Sequence, residues 1–312
     1  MAQLNKHEFC AVLNAVTGLP SQSETLLGRQ CSFLRMGGFL ADRPIARYGV
    51  QEISPAVDLL DRHAEELRLV GHTVLNSCLK PEEIADLRGR IKPIIERQER
   101  EFGGAQAMAR IGEANTGRAL LAYDEAFLAL AANPQLMGLV EKMLGQNFVL
   151  SQQNSTILEP LNSHNQSAFH RDLPYQHFTS SRPIAINALF CADEFTNENG
   201  ATRVIPGSHK YEPFPSDDVI RHLVLTLTAP AGSFIVLDAM IYHGAGENRS
   251  PRARHGVNHV FVLPFVRQQI DLPKMLGGRY ADDPKLSRLL GYDYQTPASV
   301  IDWRRSHEAK LG

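Results

Sequence analysis

The triplet His170-Arg171-Asp172 has the residue types and spacing that most directly suggest chemistry in this chain. In an extended segment, the first and third side chains point to the same face and can bind one metal ion together. An imidazole and a carboxylate are ligands for several divalent metals, so the triplet alone does not indicate which metal binds. A third ligand from elsewhere in the chain is needed to define a site.

A second imidazole, His243, follows far along the chain. It ends an apolar, strand-like run that begins at Ser233, after turn-forming residues at 230–232. Two histidines and one carboxylate from separate strands form a facial triad, which leaves three coordination positions of ferrous iron open. We therefore predict that His170, Asp172 and His243 bind iron(II) and are the catalytic residues.

Arg254 directly precedes the apolar run 255–263. A guanidinium buried in a β-barrel needs a partner, and a carboxylate that accepts two hydrogen bonds fits it. 2-Oxoglutarate offers such a carboxylate at one end and an iron-chelating keto acid at the other. The residues are thus consistent with iron(II) as cofactor and with 2-oxoglutarate and O2 as cosubstrates, which would yield succinate and CO2.

Two other functions fit part of this residue set. Zinc also accepts two histidines and one carboxylate and activates water for hydrolysis, but Arg254 would then have no evident role. A non-catalytic, cupin-like protein would bind a small molecule without turnover. The complete triad favours an oxidoreductase over both alternatives.

Histidine also occurs elsewhere in this half of the chain. We interpret His209 as a residue that ties a turn, and His255 and His259, which share one strand face, as packing or polar-network residues. His164 and His177 are expected in solvated loops. The predicted ligand set therefore stays at three residues.

The spacing of apolar residues predicts helices before residue 146 and strands after it. A helix behind Pro81 is indicated by apolar residues at steps of three and four, and further helices by the pattern over 124–132 and 133–145. Strand-like runs follow at 148–150, 155–158, 184–191, 203–205, 223–227, 233–237 and 257–263. Helices first and strands later predict an α+β fold with an antiparallel β core.

The composition excludes several classes of protein. Hydrophobic residues make up 43% of the 312 residues, which allows a large core, and the net charge of -2 provides no field that attracts nucleic acid or an anionic membrane. The four cysteines are too far apart to indicate a zinc knuckle or a disulfide framework. With no signal-peptide pattern and no long apolar run, we expect a cytoplasmic enzyme whose partner is a small molecule.

From about residue 70 to residue 266, the chain resembles the phytanoyl-CoA dioxygenase (PhyH) family of iron(II)/2-oxoglutarate-dependent oxygenases. The family's metal loop is similar to 166–172. The most specific match is 197–210, with its Asn-Gly hairpin and its Pro-Gly-Ser-His turn. His243 and Arg254 fall at the spacing of the family's distal histidine and cosubstrate arginine.

This resemblance implies a double-stranded β-helix (a cupin-like jelly roll) flanked by N-terminal helices, with iron at one open end. It also implies that Gln153 and Asn187 point into the cavity near 2-oxoglutarate. Family members often carry a small hydroxylated residue two positions past the distal histidine, where this chain has Ala245. We therefore expect Thr202 to help Arg254 hold the cosubstrate.

The predicted organisation has three parts. Residues 1–60 form an arm or lid, and residues 61–266 form the oxygenase domain, with a helical lead-in at 61–146 and a jelly-roll core at 147–266. Residues 267–312 form a tail packed on the barrel. Because the irregular arm and tail suggest a dedicated lid, we expect hydroxylation, or another oxidation, of an unactivated C–H bond in a specialised metabolite from natural product biosynthesis.

Overall fold

The computed structural model describes residues 45–161 and 167–308. Within these ranges the chain folds into helices and two antiparallel β-sheets, which confirms the predicted α+β class. Most of the predicted N-terminal arm lies outside the described residues, as do Cys10, Cys31 and His164. Of the two described cysteines, Cys78 is exposed and Cys191 is buried.

The helices begin and end at residues that satisfy their terminal backbone groups. Helix α1 (Leu59–Val70) begins after Asp58, whose side chain accepts a hydrogen bond from the Asp61 N–H, and ends at Gly71, which has a φ of 84°. Four more helices follow: α2 (Pro81–Phe102), α3 (Ala105–Arg110), α4 (Glu125–Ala131) and α5 (Pro134–Leu144). The three helices predicted from apolar spacing are α2, α4 and α5, and they are confirmed.

Six strands form the larger sheet in the order β1-β7-β4-β9-β3-β2, with all neighbours antiparallel. They are β1 (His72–Asn76), β2 (Thr116–Arg118), β3 (Val149–Leu158), β4 (Ala185–Cys191), β7 (Ser233–Asp238) and β9 (Arg254–Val262). The smaller sheet has the order β6-β5-β8, with β5 (Thr202–Val204), β6 (Leu225–Leu227) and β8 (His243–Ala245). The two sheets build the predicted jelly roll.

Several strands differ from their predicted bounds, among them β9, which begins three residues before the run 257–263. The runs 148–150 and 155–158 are parts of one strand, β3, because the polar residues between them are also extended. The strand predicted at 233–237 matches β7 to within one residue, but the apolar run does not continue as strand to His243. The Asp238 carbonyl and carboxylate accept hydrogen bonds from the next turn, and the chain passes there from the larger to the smaller sheet. The first residue of the run 223–227 is the last residue of a short helix, α6 (Asp217–Leu223), and β6 begins at Leu225.

The main hydrophobic core lies between the helices and one face of the larger sheet. Helical residues such as Leu67, Ile91 and Phe127 meet Phe190 and Phe261 of the sheet, and all five are fully buried. Because side chains alternate along a strand, the other face of the same strands is free to line a cavity.

The chain after β9 packs partly on this core. Helices α7 (Leu272–Leu276) and α8 (Pro284–Leu290) bury leucines in it, whereas α9 (Val300–Glu308) buries no residue. Among the described helices, none has both the length and the apolar character that crossing a membrane requires.

Candidate active site

A cavity between the two sheets brings the predicted ligands together. Its walls come from β3, β4, β7 and β9 of the larger sheet, from β5 and β8 of the smaller sheet, and from the segment 167–172, called here the metal loop. His170 and His243 exchange backbone hydrogen bonds of 2.9 and 3.0 Å, so the metal loop lies directly beside β8.

His170, Asp172 and His243 each direct one ligand atom to the same point. These three atoms all lie within 4.8 Å of one another, and His243 Nε2 is 3.7 Å from Asp172 Oδ2. Two imidazole nitrogens and one carboxylate oxygen at this separation are able to hold a single metal ion.

The neighbours of the two histidines determine which ring nitrogen faces the centre. His170 Nδ1 is 2.9 Å from the Ala168 carbonyl oxygen, and His243 Nδ1 is 3.1 Å from that of Ile241. A carbonyl oxygen only accepts hydrogen bonds, so each Nδ1 carries the proton and each Nε2 is available to a metal. Burial lowers the pKa of His243, which favours the neutral ring that binds metal.

Arg254 begins β9 and buries its guanidinium in the same cavity. Its Nη1 donates to the Gly200 carbonyl oxygen at 2.6 Å, and its Cζ lies 4.0 Å from the centre of the Phe195 ring. Its Nε is buried without a partner, and no carboxylate of a described residue forms a salt bridge with it. Burial lowers the pKa of Arg254 to about 10, so the side chain is still charged at neutral pH and suits a carboxylate ligand.

Asn187 and Thr202 both line the cavity. The Asn187 amide donates a hydrogen bond to Asp172 Oδ2, which holds this carboxylate toward the two histidines. Thr202 lies directly opposite Ala245 in the β5–β8 pairing. Its hydroxyl is therefore on the strand next to position 245, where other family members often carry a hydroxylated residue. The contact of both residues with 2-oxoglutarate stays a prediction.

The side chain of Gln153 points away from the cavity, contrary to expectation. Its Oε1 accepts from the Leu121 N–H at 2.8 Å, and its Nε2 donates to the Phe127 carbonyl oxygen at 2.7 Å and lies 3.0 Å from His259 Nε2. The prediction for Gln153 is therefore wrong. Because strand residues alternate, the next residue, Asn154, lines the cavity instead.

The other described histidines of this region do not line the cavity. His209 is buried, with Nε2 3.4 Å from the Arg68 carbonyl oxygen. His255 Nδ1 lies 2.7 Å from the Asp193 carboxylate, and His259 is buried in the core beside the sheet. These contacts confirm their interpretation as turn, polar-network and packing residues.

No role was predicted for Arg171, yet it is among the most buried side chains, at 2% relative exposure. Its guanidinium lies 4.1 Å from the centre of the Tyr242 ring. It donates to the backbone carbonyl oxygens of Gln176, Phe178, Ser208, Tyr211, Glu212 and Met240. No local sequence pattern signals this role, because four of the six acceptors lie 37 to 69 residues away along the chain.

Asn258 is a second cavity residue that the sequence analysis did not single out. Its strand parity with Arg254, four residues earlier in β9, would have placed it on the same face.

The fold is shared with solved enzymes. It aligns with the epimerase SnoN from nogalamycin biosynthesis, solved with Fe3+, alpha ketoglutarate and nogalamycin RO, at a TM-score of 0.54 and 20% identity, over 68% of this chain and 87% of that one. EctD from S. alaskensis, solved with 2-oxoglutarate and 5-hydroxyectoine, aligns at a TM-score of 0.57 and 20% identity, over 71% and 82%. At these identities the likeness shows the fold, a jelly roll used by 2-oxoglutarate enzymes.

Sequence comparison leads from this class to a family. The model described as phytanoyl-CoA dioxygenase (PhyH) matches residues 67–256, and the chain belongs to this family of 2-oxoglutarate-dependent dioxygenases. An uncharacterized protein of Mycobacterium tuberculosis is 33% identical over 259 residues, which cover 81% of this chain and 94% of the relative. The dioxygenase olcK of Penicillium canescens is 31% identical over 197 residues, or 57% and 63% of the two chains. The family predicted from the motifs is thereby confirmed.

Proposed function

We propose that this dioxygenase binds iron(II) through His170, Asp172 and His243 and 2-oxoglutarate through Arg254, and oxidises an unactivated C–H bond of a small molecule. One observation carries the proposal. The converging ligand atoms of the triad and a buried guanidinium without a described carboxylate partner line the same cavity.

The donor set fits iron(II). Two neutral imidazoles and one carboxylate are the ligands of non-haem iron oxygenases, and they leave coordination positions for a chelating cosubstrate and O2. The backbone carbonyls behind both rings and the Asn187 amide behind Asp172 are the outer partners that hold such ligands in place.

When bound, iron(II), 2-oxoglutarate and O2 together supply the oxidant that removes hydrogen from the substrate, with succinate and CO2 as co-products. The chain's own residues bind and orient these groups. Arg254 attracts the distal carboxylate of 2-oxoglutarate, and the Thr202 hydroxyl lies on the facing sheet. Leu189 and Leu237 add apolar wall, which limits the access of water to the reacting groups.

For the substrate we propose a specialised metabolite. Relatives support this class, because SnoN comes from nogalamycin biosynthesis and EctD was solved with 5-hydroxyectoine. We further propose that residues 61–266 form the oxygenase domain and that 267–312 form its packed tail. The role of residues 1–60 as an arm or lid stays a prediction.

The test is anaerobic addition of Fe(II) and 2-oxoglutarate to metal-free protein. The absorbance of the visible metal-to-ligand charge-transfer band is then measured. We expect the band in the wild type and none in Asp172→Ala. Arg254→Ala should need at least about thirtyfold more 2-oxoglutarate, because the loss of one partner of a buried ion pair costs about 2–5 kcal/mol.

The matched control is Arg252→Ala, which removes an exposed arginine two residues earlier and should leave the titration unchanged. Wild-type protein that binds metal but shows no band would contradict the proposal. An unchanged 2-oxoglutarate requirement in Arg254→Ala would show that another residue anchors the cosubstrate.

A further inference from the structure

The described lining of the cavity has no charge left for a substrate once the metal and the cosubstrate are bound. Its ionisable residues are the triad and Arg254. The remaining polar residues are neutral: Asn154, Thr156, Asn187, Thr202 and Asn258. A charged substrate group would lose its hydration here without gaining a counterion among the described residues, which is costly.

Among these neutral residues, Asn258 has the free carboxamide. Its side chain has no hydrogen-bond partner in the described part of the chain, and its Oδ1 is fully buried. By contrast, the Asn187 amide nitrogen donates to Asp172, although its Oδ1 is also buried without a partner, and the Asn154 carboxamide has hydrogen-bond partners in either orientation of its oxygen and nitrogen. A buried polar group without a partner destabilises the folded state, and such groups are nearly always paired in folded proteins. Asn258 therefore offers an unused acceptor and unused donors to a ligand in the cavity.

The neighbours of Asn258 describe the rest of the surface. In the register of the larger sheet, it lies opposite Asn154 on β3 and opposite Leu189 on β4. Gly256, two residues earlier, has no side chain to separate Asn258 from the Arg254 end of the cavity. The surface thus combines carboxamides with an apolar wall.

We propose that Asn258 recognises the substrate by hydrogen bonds. The substrate is a neutral molecule with an apolar skeleton, and it carries a carboxamide, or a similar group that both donates and accepts hydrogen bonds, which pairs with the Asn258 side chain. Such a group pairs both ends of the Asn258 side chain and needs no counterion. This inference rests on the proposed function, because it takes the triad and Arg254 as occupied by metal and cosubstrate.

The test uses three probes with similar cyclohexyl skeletons: cyclohexanecarboxamide, cyclohexanecarboxylate and cyclohexylmethylammonium. Each is added to wild-type protein loaded with Mn(II) and 2-oxoglutarate, and binding beside the metal is read from the paramagnetic relaxation of the probe's protons by NMR. We expect relaxation of the carboxamide probe at concentrations at which neither charged probe responds.

Two variants of the same residue make the test specific. Asn258→Leu, of similar size, should weaken carboxamide binding at least tenfold while the Tm stays the same or rises, since an unpaired buried polar group is removed. Asn258→Asp should reverse the preference in favour of the ammonium probe. In Asn258→Leu, the charge-transfer titration with Fe(II) should give the same 2-oxoglutarate affinity within twofold.

Several results would overturn the inference. They are a wild-type preference for a charged probe, no carboxamide binding at any soluble concentration, or carboxamide binding that Asn258→Leu leaves unchanged. A tenfold loss of 2-oxoglutarate affinity in Asn258→Leu would assign the residue to the cosubstrate instead. Failure of the proposed function is seen separately, as wild-type protein that gives no charge-transfer band.

Discussion

Arg171 separates two of the proposed iron ligands in the sequence, and in the folded chain its side chain joins the segments around all three. Its Nε donates to the Met240 carbonyl oxygen at 2.7 Å, three residues before His243. Its Nη2 donates to the carbonyl oxygens of Ser208 and Tyr211 at 3.0 and 2.8 Å. A rigid, planar guanidinium suits this geometry because its donors point in fixed directions.

We expect Arg171→Met to weaken both folding and metal binding. The variant keeps much of the side-chain volume but leaves buried carbonyl oxygens without a donor, which should lower the free energy of unfolding by about 3 kcal/mol or more. Loosened ligands should lower Mn(II) affinity by about tenfold to a hundredfold. Urea unfolding and Mn(II) titration measure the two effects.

The control for this variant is Arg221→Met, because Arg221 is exposed and, among the residues that the structure describes, forms ion pairs only with the acids of its own helix, Asp217 and Asp218. It should change neither quantity. Unchanged Mn(II) affinity in Arg171→Met would show that the ligands keep their positions without the guanidinium.

At the scale of single residues, the site was partly predictable. His170, Asp172, His243 and Arg254 were predicted as site residues because each has a defined chemical use, and the structure places all four in the lining of one cavity. Gln153 was assigned to the cavity by resemblance to the family, and the polar run around it shows no alternation of apolar and polar residues that could have corrected the assignment. A register irregularity early in β3 adds to the difficulty, since one residue of shift reverses the face of every side chain.

Strand β8 is three residues long, yet it determines where the metal loop lies. Its central residue, Gly244, leaves room for the loop's backbone. A Cβ atom at this position would be 2.8 Å from the Ser167 carbonyl oxygen and 3.1 Å from that of Ala168. These are backbone atoms of the metal loop, so a side chain here would displace the loop itself.

We therefore expect Gly244→Ala to separate His170 from His243 and to lower Mn(II) affinity at least about tenfold. The measurement is Mn(II) titration, with circular dichroism to show that the fold is kept. Gly89→Ala is the control, because Gly89 lies within α2 with open space around it. That variant should gain about 0.5–1 kcal/mol of stability and keep its Mn(II) affinity. Equal affinities in the two variants would contradict the role of Gly244.

At the scale of elements, helices were easier to predict than strands. Helix α5 has an apolar periodicity together with Asn133 as N-cap, and the Asn133 side chain accepts hydrogen bonds from the N–H groups of Gln135 and Leu136. The end of β7 had no such signal. Its break depends on hydrogen bonds that Asp238 accepts within the turn, while the residues after it remain apolar and look like a continued strand.

Two buried ionisable groups give the whole molecule opposing responses to pH. Burial raises the pKa of Asp238 to about 6, although the Met240 N–H and nearby cations partly oppose the shift. Burial lowers the pKa of His259 to about 4. Between pH 4 and 6, Asp238 is protonated in the folded state and ionised in the unfolded state. In the same range, His259 is neutral in the folded state and protonated in the unfolded state. Acidification therefore gains stability from Asp238 and loses it from His259, by about 3 kcal/mol each.

Asp238→Asn should reveal the contribution of His259. The amide oxygen still accepts from the Met240 N–H, and no buried charge forms above pH 6, so the variant should be more stable than the wild type at pH 7 by about 2 kcal/mol. Its stability should then fall by at least about 3 kcal/mol between pH 6.5 and pH 4, because other buried histidines with lowered pKa values, such as His243, act in the same direction as His259. Urea unfolding of metal-free protein across this range tests the prediction, and parallel profiles for the two proteins would contradict it.

At the scale of the whole molecule, residue patterns alone led to an α+β fold with an antiparallel core. The jelly roll itself came from the resemblance to a family, because strand order depends on long-range pairing that local patterns do not encode. In the larger sheet, β1 pairs with β7, more than 150 residues later. The packing of the tail on the helical core depends on equally long-range contacts, so no local pattern in the sequence specifies them.

Cys191 has a consequence for how long such a catalyst survives. Its thiol is buried at the end of β4, in register with Gly256 of the cavity wall, and burial raises its pKa to about 12. Sulfur is attacked by oxidants mainly as the thiolate, which this residue does not form at physiological pH. When the enzyme activates oxygen in the absence of substrate, the Cys191 sulfur beside the cavity is therefore oxidised only slowly.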